Sequence, residues 1–421
     1  MKVMYFHQYF STASGSTSTR SLGTALALLD LGHEVTVVCI STDRNDTGLT
    51  GPFSRGRREG VVQGIRVIEL ELSYSNYQSY LKRSLGFLSY AFRSSWIAVK
   101  SDADIIFATS TPLTAGIPGI VAKALRWNKR FIFEVRDLWP ELPREMGVIK
   151  NPVVLGMMEV LERASYLFAT ACIGLSPGIV DGIQRKASAK KRVALVPNAS
   201  DLSLFGRQPR DPGAARRVRP PALSETRYDI LFTASFKCVF AGTHGVANGL
   251  DAVLDAAAEL SASGAPVDFI FVGDGKEKPA LVGRAESEML SNCHFFDSVE
   301  KAVLDQIYQR VDVGLMILAN VPAFYYGTSP NKFFDYIAAG LPVLNNYPGW
   351  LAGLIDEHGC GVAVPPGDPA AIAAALLELR QHPEVVRDMG GRSRELAEEH
   401  FSYVDLSRQA AEFIASVYDE A

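Results

Sequence analysis

The chain has 421 residues, 48% of them apolar and 21% charged, with 42 Lys plus Arg against 46 Asp plus Glu and a formal net charge of −4. That length suits two α/β domains of roughly 200 residues better than one core, and the composition leaves little room for a long disordered region. An acidic balance supplies no global positive field for a polyanion, so nucleic acid is not expected as a partner.

Residues 2–9 read as a strand, 10–18 as a loop of small residues, 19–31 as a helix stopped by Gly32, and 34–40 as a second strand. This is the opening unit of a doubly wound parallel sheet, whose loops at the carboxyl ends of strands face the ligand. No leader with a basic start and an apolar stretch precedes it, so export is not expected. Residues 73–101 contain no acidic residue, four basic ones and seven aromatics. Tyr77, Leu81, Leu85, Leu88, Phe92, Trp96 and Val99 share one helical face, edged by Lys82, Arg93 and Lys100. Two readings stay open: a helix packing that face on the core, or an interfacial helix touching a membrane. Residues 105–122 are uncharged but broken by Pro112, Gly116, Pro118 and Gly119, which fits strand, turn and helix rather than a membrane span.

Further strands are expected at 104–108, 130–134, 171–174 and 192–196, closing a first domain at 1–200. A polar, proline-rich stretch at 201–228, with Arg216, Arg217 and Arg219 beside Pro220 and Pro221, reads as a linker. A second α/β domain at 229–400 then carries strands at 237–241, 267–272, 294–296, 313–318, 342–345 and 361–364. A last helix within 401–421 is expected to cross back onto the first domain.

Three stretches carry chemistry. In residues 327–344, Ser329 suits a helix N-cap and Pro330 the first helical position, with Asn331 following; the helix start then offers free N–H groups and a positive dipole end to a diphosphate. Lys332 in the first turn adds a full charge, and Asp335 one turn on is placed for ribose hydroxyls. Residues 272–278 leave a strand through Gly273, Asp274 and Gly275 and end on Lys278, a second phosphate cation. The turn Gly242, Thr243 and His244 leaves another strand where a phosphate or sugar could sit. In residues 133–141, Arg136, Asp137 and Glu141 follow an apolar strand as polar groups of a cleft wall, or as a salt-bridged turn. The seven histidines show no metal-ligand spacing, and His7, His33 and His294 read as core or near-core residues, so no metal is expected. Cys39, Cys172, Cys238, Cys293 and Cys360 are scattered without a Cys-x-x-Cys pair and read as reduced cysteines of a cytoplasmic protein.

These residues resemble the retaining glycosyltransferases of family 4, in particular the bacterial surface-polysaccharide sugar transferases. The likeness runs through His7-Gln8-Tyr9-Phe10 with Thr19-Arg20-Ser21 and Gly32-His33-Glu34-Val35, then Glu134 to Glu141, Leu175-Ser176-Pro177-Gly178, Pro197-Asn198 with Asp201 to Phe205, Val272 to Gly275, and Ser329 to Val343. The resemblance implies the GT-B architecture of two Rossmann-like domains facing a cleft, a nucleotide-sugar donor in the second domain, a saccharide or lipid-linked saccharide acceptor on the first, no cofactor and no metal. It places Gly15 and Arg20 among donor-binding residues. It puts Asp335 at the second glutamate of the family's donor pattern and Gly327 at the first. Lys82, Arg83, Arg93, Trp96 and Glu141 are then the acceptor or inner-membrane side. A uridine nucleotide is the expected donor. A nucleotide-sugar epimerase and a non-catalytic nucleotide-sugar-binding subunit are the alternatives.

Overall fold

The computed structural model describes the chain except residues 16–17, 43–44, 75–79, 189, 207–210 and 420–421, and the side chains of 73–74 and 80–81. It forms two compact units. The first comprises Met1–Asn198, Tyr326–Ser329 and Tyr403–Ala421, the second Ala199–Tyr325 and Pro330–Ser402.

In the first unit the elements run β1 (Lys2–Phe6), α1 (Arg20–Asp30), β2 (Glu34–Thr42), β3 (Arg57–Val62), β4 (Ile65–Tyr74), α2 (Tyr80–Lys100), β5 (Ile105–Thr109), α3 (Ile117–Leu125), β6 (Arg130–Val135), α4 (Glu141–Glu145), α5 (Pro152–Phe168), β7 (Ala171–Gly174), α6 (Pro177–Lys186) and β8 (Arg192–Leu195). The sheet order is β3-β4-β2-β1-β5-β6-β7-β8, parallel except for the β3–β4 hairpin at one edge. Apolar runs such as Ile105–Thr109 are buried on both faces, as a parallel sheet covered by helices requires. Helix starts follow local chemistry: Asn151 accepts hydrogen bonds from the N–H groups of Val153 and Val154 ahead of Pro152, and Ser176 accepts from Ile179 ahead of Pro177.

The second unit continues with α7 (Pro212–Arg216), β9 (Phe236–Ala241), α8 (Asp251–Ala262), β10 (Val267–Val272), α9 (Lys278–Ser287), β11 (Cys293–Phe296), α10 (Lys301–Tyr308), β12 (Val313–Met316), α11 (Pro322–Tyr326), α12 (Asn331–Ala338), β13 (Val343–Asn345), α13 (Trp350–His358), β14 (Gly361–Ala363), α14 (Pro369–Gln381) and α15 (Pro383–His400). Its six strands are all parallel, in the order β11-β10-β9-β12-β13-β14. Both sheets are therefore doubly wound. The last helix, α16 (Tyr403–Asp419), packs on α1 in the first unit, where Ala410, Ala411, Ile414 and Val417 join the core of Leu22, Ala25 and Leu28.

One expectation changes and one open reading narrows. Residues 201–228 are part of the second unit rather than a free linker: Arg216 pairs with Asp312 at 2.5 Å and donates to the Arg310 carbonyl, while Leu223 and Tyr228 are buried. On α2 the described part of the expected apolar face does not pack on the core. Leu85, Leu88, Phe92 and Trp96 are exposed, and the buried side is Tyr90, Ala91, Ser94 and Ala98, with the Tyr90 hydroxyl donating to the Val38 carbonyl. Small residues let the helix lie close to the sheet, which turns the large ones outward. Tyr77 lies outside the described residues, as does the side chain of Leu81. No described helix is long and apolar enough to cross a membrane.

Candidate functional site

In the second unit the carboxyl ends of β9 and β10 turn together. Gly242 and Gly273 have φ of 152° and 145°, in the region that favours glycine. A Cβ on Gly273 would lie 1.9 Å from the Gly242 carbonyl, and one on Gly275 2.2 Å from the His244 carbonyl. Only glycine lets the two loops touch backbone to backbone. The His244 N–H donates to the Asp274 carbonyl, and the His244 carbonyl accepts from Glu277. His244 itself is buried among Phe240, Phe271 and Phe295, neither ring nitrogen has a hydrogen-bond partner among the described residues, and burial pulls its pKa down to about 4. It is a neutral packing residue of the turn. Thr243 is exposed and its carbonyl accepts from the Asn248 amide.

Lys332 stands beside these loops. Its ammonium is 2.5 Å from Asn248 Oδ1, 3.4 Å from the Ile317 carbonyl and 4.2 Å from the centroid of the Phe240 ring, and its Cε lies 3.7 Å from where a Gly242 Cβ would be. None of these described partners is a carboxylate. Burial holds its pKa down to about 7. Such a cation is short of a counter-charge. The helix behind it is fixed by Tyr336, whose hydroxyl accepts from the Ala241 N–H at 2.9 Å and whose ring leaves room for no side chain at Gly314.

The helix cap differs from expectation. Pro330, not Ser329, is the N-cap of α12, and no side chain caps its first turn. The Ser329 hydroxyl is engaged by the Asn198 N–H, and the Ser329 carbonyl by the Asn198 amide, both in the first unit. In the first turn of α12 the Phe333 N–H donates to the Pro330 carbonyl, which leaves the N–H groups of Asn331, itself exposed, and Lys332 to be offered to an outside anion. Asp335 faces elsewhere: it accepts from the Ser200 hydroxyl at 2.7 Å, and burial raises its pKa. Lys278 also differs. Its ammonium donates to the Gly273 and Phe296 carbonyls, each at 3.0 Å, and pairs with Asp297 at 2.7 Å. Three donors meet three acceptors, so Lys278 straps the ends of β10 and β11 together and has no proton left for a phosphate. Asp274 accepts from the Gly275 N–H.

In the first unit, a second polar group sits at the ends of β1, β5 and β6. Arg20 pairs with the buried Glu134 at 2.8 Å and donates to the Val196 and Pro197 carbonyls. Its guanidinium is thereby committed to the fold rather than to a donor. Glu134 also accepts from the Thr109 hydroxyl, and Arg20, Arg136 and these hydrogen bonds keep it ionised against burial. His7 is hydrogen-bonded to Ser21 at 2.7 Å and, being buried, falls to a pKa of about 3. Arg136 is half-buried, its N–H donating to the Ser110 hydroxyl, and no described side-chain hydrogen bond is made by its guanidinium. Asp137 lies 3.4 Å from the Thr111 hydroxyl, its pKa raised by burial. Glu141 accepts from the Tyr326 hydroxyl at 2.8 Å. Gly15 is half-buried in the first loop, and its neighbours Ser16 and Thr17 lie outside the described residues. Lys82 and Arg93 are exposed on α2, Arg83 half-buried, and the Trp96 ring carries the Lys100 ammonium 4.2 Å above it.

The structure thus gathers Gly242, Gly273, Gly275, Lys332 and the start of α12. Asn248, Tyr336 and Glu134 are the residues missed. Asn248 had one local signal, a polar side chain before Gly249 in a small-residue turn, while the roles of Tyr336 and Glu134 depend on partners far along the chain. Among the described residues no three His, Cys, Asp or Glu side chains cluster as metal ligands.

Comparison with known proteins agrees with this division. Residues 15–199 match the model of the glycosyl transferase 4-like domain, and residues 235–382 that of glycosyl transferases group 1. A D-rhamnosyltransferase, WbpZ of Pseudomonas aeruginosa, is 29% identical over 156 residues, 36% of this chain and 38% of that protein. The chain matches about two fifths of the length of its curated relatives. Among solved structures, sucrose-phosphate synthase from Thermosynechococcus elongatus superposes with a TM-score of 0.76 at 18% identity over all of both chains. Anabaena HepE in complex with UDP-glucose gives 0.68 at 15% identity, covering 99% of this chain and 100% of its own. The fold is GT-B, and each unit matches the model of a glycosyltransferase domain.

Proposed function

We propose that this chain, built from two glycosyltransferase domains, transfers a hexose-type sugar, N-acetylated or deoxygenated, from a nucleoside diphosphate donor to a polyprenyl-diphosphate-linked saccharide. The setting is surface-polysaccharide assembly at the inner face of the cytoplasmic membrane. The transfer retains the anomeric configuration and needs no metal. The observation that carries this reading is Lys332, a half-buried cation whose described partners are all neutral, at the uncapped start of α12 beside the glycine loops of β9 and β10. A diphosphate supplies the missing negative charge, and its leaving-group charge is what Lys332 and the helix N–H groups stabilise as the glycosidic bond breaks. The acceptor hydroxyl attacks the anomeric carbon from the same face. UDP is the first donor to test, since HepE is a UDP-glucose complex, and a deoxyhexose is suggested by the rhamnosyltransferase relative. In the first unit Arg136 is the group we assign to the acceptor saccharide.

Thermal unfolding with UDP-, GDP-, dTDP- and ADP-sugars, with and without EDTA, tests this. One nucleotide at about 100 times its Kd stabilises the second unit by roughly 2.7 kcal/mol, EDTA changes nothing, and Lys332→Met abolishes the shift. No shift with any nucleotide overturns the reading, and donor consumed without acceptor redirects it to an epimerase.

A further inference from the structure

On one face of the first sheet, α2 packs on α3 and α3 on α5, and their inward residues Tyr90, Ala98, Ala122 and Tyr166 share one core. Their outward side is also apolar. Besides the α2 stripe of Leu85, Leu88, Phe92 and Trp96, Val153, Met157, Val160 and Leu167 recur at helical spacing along α5, every one of the eight more than half exposed. Between them α3 ends on exposed Leu125, followed by Trp127, which is 85% exposed. Two outward stripes on helices of one layer, with an indole between, is more apolar surface than scattered exposure explains.

The charge on this layer is one-sided. Residues 80–100 hold Lys82, Arg83, Arg93 and Lys100, and residues 117–127 hold Lys123 and Arg126, with no acidic residue in either segment of a chain whose net charge is −4; the next two cations turn away, Lys129 being buried with its ammonium on the Ser101 and Ala103 carbonyls and Arg130 engaging Tyr418. The acidic residues of α5 are neutralised locally, Glu159 by Arg144 and Glu162 by Lys186. A second copy docking by the same face would set one basic layer against another, which like charges oppose. An anionic phospholipid surface complements both the charge and the apolar stripes.

We propose that the outer layer of α2, α3 and α5 seats the first unit on an anionic membrane. Phe92, Trp96, Trp127, Met157 and Val160 enter the boundary between headgroups and acyl chains, and the basic residues of α2 and the exposed Arg126 after α3 meet the headgroups. This deepens the reading above, since a lipid-linked acceptor is reached only at a membrane. It widens the contact from one helix to three.

The test is flotation of the full chain with vesicles of phosphatidylcholine, with and without phosphatidylglycerol. The chain floats with the anionic vesicles, and raising salt from about 0.1 M to about 1 M releases it as screening shortens from about 10 Å to about 3 Å. Leu88→Ser/Phe92→Ser on α2 and Met157→Ser/Val160→Ser on α5 each lower the bound fraction about tenfold, while the stabilisation by donor nucleotide is unchanged. That retained shift shows that both variants fold, and it separates this proposal from the donor reading. Absence of flotation at low salt overturns the proposal. An α5 variant that floats like the parent overturns the three-helix surface, and a dimer in light scattering that the α2 variant dissociates assigns the face to a second copy.

Discussion

Lys332 illustrates what a single residue contributes. Its place in the first turn after a proline marked it as a candidate phosphate cation, but its neutral partner Asn248 lies 84 positions away and could not be read. Burial puts its pKa near 7, so free protein loses the charge as pH rises through that value. A bound diphosphate raises the pKa, so affinity is fully present below about pH 7 and falls by up to tenfold per pH unit above it. Calorimetric titration with a nucleotide sugar, whose diphosphate diester has no proton to lose there, measures this directly, and a flat profile to about pH 9 removes Lys332 from the site. Lys278 was legible as a cation too, yet its partners Phe296 and Asp297 turned it into a strap. His7 and His244 work in the opposite direction from a ligand. Both are held neutral, with pKa values of about 3 and about 4 against 6.5 unfolded. Stability from them is complete above about 6.5 and is lost as pH falls through that value toward the folded pKa. Each unit then loses roughly 2 kcal/mol by about pH 5, seen as a lower urea midpoint.

At the scale of elements, most strands were legible because a strand covered on both faces is a short unbroken apolar run. The hairpin of β3 and β4 was not. In Arg57–Val62 half-exposed residues alternate with exposed ones at a sheet edge, so no apolar run marks it. The face of α2 was read with the right period and its covering left open, because periodicity finds a stripe without saying whether protein or something else covers it. For α12 the sequence pattern located the helix but not what fixes it. The Tyr336 hydroxyl bridges to the Ala241 N–H. Tyr336→Phe leaves that buried donor unpaired, which costs about 1–3 kcal/mol, and loosens the helix that presents Lys332. We expect lower stability of the second unit together with a raised Kd for nucleotide sugar. Lost stability with an unchanged Kd would make Tyr336 a packing residue only. Asn151→Ala is the control in the first unit, costing about 1 kcal/mol for a lost cap with no effect on donor binding.

For the molecule as a whole, the change of composition near residue 200 revealed where one unit gives way to the other, but composition does not reveal where the chain returns. Tyr326–Ser329 belongs to the first unit through Ser176, which donates to the Tyr326 carbonyl, and through Asn198, contacts more than 100 positions apart in sequence. The final return, α16, was legible from its helical period. Its attachment is close: the Tyr403 hydroxyl donates to the Thr19 carbonyl, and a Cβ on Gly23 would lie 2.3 Å from the Ser407 hydroxyl oxygen. Ending the chain after residue 402 exposes Ala410's partners on α1 and removes the burial of Ile414 and Val417, a loss of roughly 5 kcal/mol to the first unit. Since the second unit has its own core and holds the proposed nucleotide site, the truncated chain should still be stabilised by donor nucleotide. Its first thermal transition, the one insensitive to nucleotide, should drop by ten degrees or more, as expected for about 5 kcal/mol at this unit's size. A truncated chain that keeps both transitions would show that α16 is dispensable, whereas one that also loses the nucleotide shift would show that the donor site requires an intact first unit.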